Sequence, residues 1–257
     1  MKTNQAFTIL QKAGGTRAAK IITRNKLSAL RVWRIARQLR RGMPVAKIVH
    51  EKWFYGLPFY TNRHTLDPRP DTETLAAAVI SDKIGGSSVR VLDLGTGTGC
   101  LIAAIVKNIP NAAGIAIDKS FGAVRVARKN IKNLGLKDKV EIYRRSFDSN
   151  LNYGQFDAIV SNPPYIAKGD ARINIGALHD PEISLYAANN GLAAYETIAR
   201  RAAKWLKPGG KIYLEIGADQ GPAARDIFIR NGWNFDHSFD DLAGIERVLS
   251  FNIEINS

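Results

Sequence analysis

The sequence predicts an α/β fold: a seven-stranded, mostly parallel sheet with helices on both faces, preceded by a small helical extension and a β-hairpin linker. Three observations carry that prediction. From residue 89 onward, short apolar runs alternate with stretches of helical period, the pattern of a parallel sheet covered on both faces. Three glycines interleaved with threonines, Gly95-Thr96-Gly97-Thr98-Gly99, follow the first apolar run, where open α/β sheets bind ligands. The last two strand-like runs have no helix between them, so the final strand enters antiparallel.

Taken in order, residues 1–50 read as two or three short helices, broken at Gly14-Gly15 and at Gly42-Met43-Pro44. Aromatic and β-branched residues between 53 and 66 surround Gly56-Leu57-Pro58 and predict a small hairpin. Pro68-Arg69-Pro70 ends it, and Asp71 is expected to cap a helix over 72–82. Strands are expected at 89–94, 113–118, 140–143, 156–161, 211–216, 233–237 and 246–254. Helices are expected at 99–107, 120–133, 192–206 and 219–230, with Lys207-Pro208-Gly209-Gly210 as a helix-stop turn. The chain thus divides into a basic helical region (1–50), a hairpin linker (51–70) and an α/β domain (71–257).

Composition narrows the function classes. Hydrophobic residues make up 45% of the 257, enough for a sizeable core, and no apolar run is long enough to span a membrane. The single cysteine, Cys100, excludes an internal disulfide framework and suggests a reducing compartment, here the cytoplasm. One cysteine and four histidines offer no metal-ligand cluster, so no metal is expected. Charge is uneven: residues 1–50 hold five Lys and seven Arg with no Asp or Glu, which accounts for +12 of the net +14. Arg31, Arg34, Arg37 and Arg41 recur at helical spacing, opposite an apolar stripe of Val32, Ile35, Ala36 and Leu39. Such a helix suits RNA, a ribosome or an acidic protein surface. The plainer readings are a solvated helix face or an organellar targeting segment.

The glycine loop follows Val89-Arg90-Val91-Leu92-Asp93-Leu94, a buried-strand pattern. Glycine is needed where backbone turns sharply and must approach a ligand without a Cβ. The spacing is G-x-G-x-G rather than the G-x-G-x-x-G of pyrophosphate binders. That suits S-adenosylmethionine, which has no phosphate. Asp93 is suitably placed to anchor its ammonium group or the loop itself. Asp118 ends the second strand, 19 residues after Gly99, where an acidic residue accepts hydrogen bonds from ribose hydroxyls. A dinucleotide site is the competing reading, and an ordinary strand-to-helix turn the plain one.

Asn162-Pro163-Pro164-Tyr165 follows the strand Phe156–Ser161, on the same rim as the glycine loop. An amide nitrogen is a poor nucleophile because its lone pair is delocalised into the carbonyl. Two acceptors at its N–H bonds, the Asn162 side-chain oxygen and the Pro163 carbonyl, orient it and favour a pyramidal nitrogen. The two prolines hold the turn rigid, and Tyr165 supplies a flat wall for a planar target. Asn162, Pro163 and Tyr165 are therefore the candidate catalytic residues, with Asn162 to Tyr165 as the target site. The chemistry is methyl transfer to an amide or amino nitrogen. Glutamine side chains in proteins and adenine or cytosine in DNA both fit it.

Over residues 39–255 the chain resembles the peptide chain release factor N5-glutamine methyltransferases. The carrying segments are Leu39 to Pro44, Phe54 to Phe59, Leu66-Asp67-Pro68-Arg69-Pro70-Asp71-Thr72-Glu73 (similar to that family's PRPETE segment), Leu214 to Gly217 and Asp241 to Gly244. The resemblance implies a Rossmann-like class I methyltransferase fold that uses S-adenosylmethionine. It implies cofactor contacts from Gly95 to Gly99, Asp118, Phe147 (against the adenine) and Asn162, and glutamine contacts from Asn162 to Tyr165. The implied substrate and partner is a class-1 release factor, methylated on the glutamine of its Gly-Gly-Gln turn. A ribosomal-protein glutamine is the alternative, and DNA adenine-N6 a more distant one. The chain departs from the family's pattern at His179-Asp180-Pro181, at Ser146, and in a shorter, more basic N-terminal region. Arg69 and Glu73 read either as closing around cofactor or partner, or as a salt bridge holding the hairpin to the domain.

Overall fold

In the computed structural model, which describes residues 3–24, 27–82, 84–170 and 176–253, three helices come first. They are α1 (Thr3–Ile22), α2 (Ala29–Arg40) and α3 (Val45–Val49). The break expected at Gly14-Gly15 is a kink within α1, where Gly15 takes φ 84° and ψ 168°, a conformation open to glycine. Ser28 caps α2 by accepting a hydrogen bond from the Arg31 N–H. Val32, Ile35, Ala36 and Leu39 pack with Leu10, Ala18, Ala19 and Ile22 into a separate small core. The opposite face of α2 exposes Arg31, Arg34, Arg37 and Arg40 together with Leu30 and Trp33.

A hairpin follows, β1 (Glu51–Phe54) and β2 (Leu57–Tyr60). Tyr55 and Gly56 at its turn both have positive φ, 48° and 74°, as a two-residue turn matching the strand twist requires. The hairpin is fastened to the domain behind it. Glu73 accepts from the Tyr55 N–H at 2.8 Å, and the buried Asn130 side chain bonds Tyr60 N, Tyr60 O and Thr98 O at 2.8–2.9 Å. Hairpin and glycine loop therefore share one buried amide.

Next comes α4 (Pro70–Ser81). It begins two residues earlier than expected: Pro70 occupies the first helical position, and Asp71 lies inside the first turn rather than capping it. Proline is favoured there because its missing N–H would have had no helical partner. The main sheet comprises β3 (Val89–Leu94), β4 (Ala112–Asp118), β5 (Val140–Arg144), β6 (Phe156–Ser161), β7 (Leu206–Glu215), β8 (Asn234–Asp240) and β9 (Glu246–Asn252). Between them run α5 (Cys100–Asn108), α6 (Phe121–Asn133), α7 (Ala193–Arg201) and α8 (Gly221–Arg230). The strand order is β5-β4-β3-β6-β7-β9-β8, with β9 antiparallel to both neighbours.

Alternation along the strands sorts side chains into two cores. Val91, Ala158 and Val160 face α4, α5 and α6, while Leu92, Leu94 and Ile159 face α7 and α8. The chain runs outward from β3 through β4 to β5, then returns to place β6 on the other side of β3. That reversal is the switch point where such sheets bind ligands. Asp93 pairs with Val160 across it, so the glycine loop and the Asn162 turn emerge side by side.

Two expectations are corrected. The helix drawn over 192–206 ends at Arg201 and tightens into a 3₁₀ turn over Ala202–Trp205. Lys207–Gly210 is a bulge inside β7 rather than a turn before it, because Leu206 already pairs with Phe156 and Lys211 resumes opposite Ala158. Glu254, in the expected last strand, lies outside the described residues.

Candidate active site

The glycine loop is held from below. Gly95 and Thr96 N–H both bond the Ile117 carbonyl at 2.9 Å, and the Gly99 N–H bonds the Thr96 carbonyl at 2.8 Å. Gly95, Gly97 and Gly99 all have positive φ, but they play different parts. A Cβ at Gly95 or Gly97 would meet nothing within 4 Å and so would project into the cleft above the loop. A Cβ at Gly99 would instead lie 3.3 Å from that of Ala127. Gly99, expected at the cofactor, is a packing contact that lets α5 approach α6.

Asp93 is 1% exposed and accepts the Thr96 hydroxyl at 2.6 Å. Burial pushes its carboxyl up to about 7, against the pull of that hydrogen bond, and the nearby Asp118 charge adds to the rise. Asp118 receives the Gly97 N–H at 3.0 Å on one oxygen and the Ser120 N–H at 2.8 Å on the other. Burial raises this carboxyl too, and the two N–H bonds work against it. Each oxygen keeps a second lone pair directed elsewhere. Phe147 packs against the core on the α7–α8 face of the sheet and, with Asp93, Gly95 to Thr98, Asp118 and Asn162, lines one continuous cleft. Those groups fit S-adenosylmethionine: an open glycine cradle, a carboxylate tied to the loop through the Gly97 N–H, and an aromatic face.

Beside this cleft lies a second cavity, lined by Pro163, Tyr165, Glu215, Gln220 and Arg247 among others. Asn162 borders both. Its Nδ2 donates to the Thr72 hydroxyl at 2.9 Å, which leaves Oδ1 as the atom able to accept from a ligand. Pro164, expected on the target side, lines the cofactor cleft instead. Tyr165 is held from several sides: its carbonyl accepts the Gln220 side-chain amide at 2.9 Å, and its hydroxyl donates to Glu215 Oε1 at 3.3 Å. Burial and the Glu215 charge hold the Tyr165 hydroxyl well above its ordinary range.

Sequence reasoning gave no role to Glu215, Thr72, Gln220 or Arg247. Glu215 had two visible signals, a lone carboxylate in the apolar run Ile212–Ile216 and its place in the Leu214–Gly217 segment that carries the family resemblance. Arg69 and Glu73 have separate partners. Glu73 fastens the hairpin, whereas Arg69 donates to Asp180 Oδ2 at 2.6 Å. Buried Lys47 sits 2.9 Å from both Asp67 and Asp180. The short turns after Gly176 are thereby clamped to the helical region beside the target cavity, and Arg69 borders both cavities.

A protein-family model described as "Methyltransferase small domain" matches residues 70–178. A release factor glutamine methyltransferase of Neisseria gonorrhoeae is 40% identical over 218 residues, covering 84% of this chain and 78% of that protein. This chain belongs to the release factor glutamine methyltransferase family. A protein of Rickettsia felis named bifunctional methyltransferase is 38% identical over 238 residues, 81% of this chain but 45% of its own length. The chain therefore spans less than half of that relative. A methyltransferase of Pyrococcus furiosus superposes with a TM-score of 0.58 at 20% identity, over 86% of this chain and 98% of that one. It shares the class I methyltransferase fold. The span matched by the methyltransferase small domain model includes both the glycine loop and the Asn162 turn.

Proposed function

We propose that this protein transfers a methyl group from S-adenosylmethionine to the side-chain nitrogen of the glutamine in the Gly-Gly-Gln turn of class-1 release factors. One observation carries the reading: Asn162 stands in the wall shared by a nucleoside-type cleft and a separate cavity, with its NH2 engaged by Thr72. Family membership supports the choice of glutamine as target. The cofactor, when bound, supplies an electrophilic methyl group on a sulfonium sulfur.

The protein's own residues do the rest. Asp118 binds ribose hydroxyls, Asp93 holds the loop through Thr96 and faces the ammonium end, and Phe147 covers the adenine. Asn162 Oδ1 and the Pro163 carbonyl accept the two N–H bonds of the target amide and turn its nitrogen toward the methyl group. Pro164 fixes the turn from the cofactor side, and Tyr165 walls the target cavity. Orientation of this kind can lower a barrier by about 7–11 kcal/mol. Residues 71–257 form the catalytic domain, 51–70 the linker and 1–50 a docking region, in an enzyme of the cytoplasm.

The docking region has a second role in this reading. The exposed face of α2 interleaves Trp33 with Arg31, Arg34 and Arg37 and faces no acidic residue of its own segment. That combination supports contact with RNA, including ribosomal RNA, through phosphate pairing and base stacking. Labelled S-adenosylmethionine offered with release factor, ribosomal protein and duplex DNA side by side tests the substrate. Label on the ribosomal protein or DNA alone would redirect the assignment. Salt-independent RNA binding, or none, would remove the RNA role.

A further inference from the structure

Transfer of a methyl group to an amide leaves a proton to be disposed of. The nitrogen then carries a positive charge and one N–H more than the product. Its two acceptors, an amide oxygen and a peptide carbonyl, are not basic enough to keep that proton. Four carboxylates line the target cavity, Asp71, Asp170, Asp219 and Glu215, and of these Glu215 alone is buried away from solvent. Glu215, at the end of β7, is 1% exposed and lines that cavity. Its Oε1 accepts the Tyr165 hydroxyl at 3.3 Å and the Thr72 hydroxyl stabilises the carboxylate as a neighbouring donor, while Oε2 has no partner of hydrogen-bond geometry among the described residues. A buried carboxylate oxygen without a donor calls for an explanation.

We propose that Glu215 is the terminal proton acceptor of the reaction, reached through the Tyr165 hydroxyl. The inference rests on the amide-methylation reading of this site. The surplus proton passes from nitrogen to Tyr165 Oη while the tyrosine's own proton passes to Glu215 Oε1. The nitrogen becomes neutral, the tyrosine is unchanged, and the carboxylate becomes a carboxyl. Tyr165 cannot accept alone, since burial and the neighbouring charge oppose its ionisation. It relays only by donating at the same moment, and it lines the cavity beside Pro163, in the turn that holds the target amide. Tyr165 is thus the catalytic partner and Glu215 acts through it.

The groups facing Glu215 define when it can accept. Asp71 and Thr72 approach from α4, Tyr165 from the turn, Arg247 from β9, Tyr195 from α7 and Cys100 from α5. Burial pushes the carboxyl up to about 7 and Asp71 adds to the rise, while Thr72, Tyr165 and Arg247 pull it down. Arg247 is itself bound to Asp241 at 2.9 Å, with Asp71 at 3.5 Å. An acceptor must be ionised, so the chemical step should accelerate as pH rises through about 7. The same value lets the carboxyl release its proton between turnovers near neutral pH.

The test is single-turnover methyl transfer to release factor, at saturating cofactor, between pH 5.5 and 9. Wild type should gain roughly tenfold or more across the acidic limb, with Glu215→Gln flat and about 100-fold slower at its plateau. Tyr165→Phe should also lose the limb. A second readout does not need activity. The infrared absorption of a protonated carboxyl should fade between pH 6 and 8 in wild type, more than in Glu215→Gln, with Asp93 present in both. An unchanged acidic limb in Glu215→Gln, or identical infrared titrations, overturns the proposal. No transfer by wild type to any glutamine substrate removes the reading beneath it, and the infrared titration still reports whether Glu215 takes up a proton.

Discussion

Replacing Asp93 by asparagine exchanges a buried ionisable group for a neutral one of the same size, able to keep an acceptor for the Thr96 hydroxyl. Burial raises this carboxyl from its ordinary value of 3.8 to about 7, so the native state holds its proton more tightly than the unfolded chain does. A raised carboxyl contributes stability that is fully present below its unfolded value and is lost as pH rises through the folded one. A shift of roughly three units corresponds to about 4 kcal/mol of lost stability above pH 7. Asp93→Asn escapes that loss. Urea denaturation should find the variant similar to wild type near pH 4 and more stable at pH 8.5. The gap should widen by about 3 kcal/mol between pH 5 and 8.5, and Glu215 and other shared groups cancel in the comparison. The stabilised variant should bind S-adenosylmethionine about tenfold more weakly or worse, having lost a charged partner for the ammonium group. A gap independent of pH would refute the reasoning, as would wild-type cofactor affinity.

Other substitutions separate the parts of the site. Asn162→Ala should leave cofactor binding near wild type by calorimetry while turnover falls about 100-fold or more, in line with loss of a positioned hydrogen-bond partner; wild-type turnover would sink the orientation mechanism. Asp118→Ala should weaken cofactor binding by roughly 10–100-fold through loss of charged hydrogen bonds, and unchanged calorimetry would count against the ribose role. Gly191→Ala would place a Cβ 2.1 Å from the Tyr165 carbonyl oxygen at φ +89°. It should therefore displace the Asn162 turn and depress turnover more than cofactor affinity, and a fully active variant would show that the turn tolerates movement.

How much of this was legible follows from the range of the interactions involved. The buried strands announce themselves because a doubly covered sheet needs unbroken apolar runs such as Val89–Leu94 and Phe156–Ser161. The cofactor loop and the Asn162 turn are legible because each concentrates its chemistry in a few consecutive residues. Local rules misread two places. Lys207-Pro208-Gly209-Gly210 has turn composition, yet pairing with β6 draws it into the sheet as a bulge. Asp71 is a good capping residue, but Pro70 beside it is better suited to the first helical position. Glu215 and Lys47, and the ion-pair partner of Arg69, escaped for a different reason. Their meaning lies in partners far along the chain, as with Arg69 and Asp180, 111 positions apart. Only the strand reversal at β3 and β6 brings the two cavities together around Asn162.

The central claim is that Asn162 presents a glutamine amide to the cofactor's methyl group. It is tested most directly by mapping the methylated residue in a release factor after incubation with wild-type enzyme and with Asn162→Ala. The account predicts one added methyl group on the glutamine of the Gly-Gly-Gln turn, and nearly none with the variant over the same time. Methylation at another residue, or equal labelling by both proteins, would contradict it.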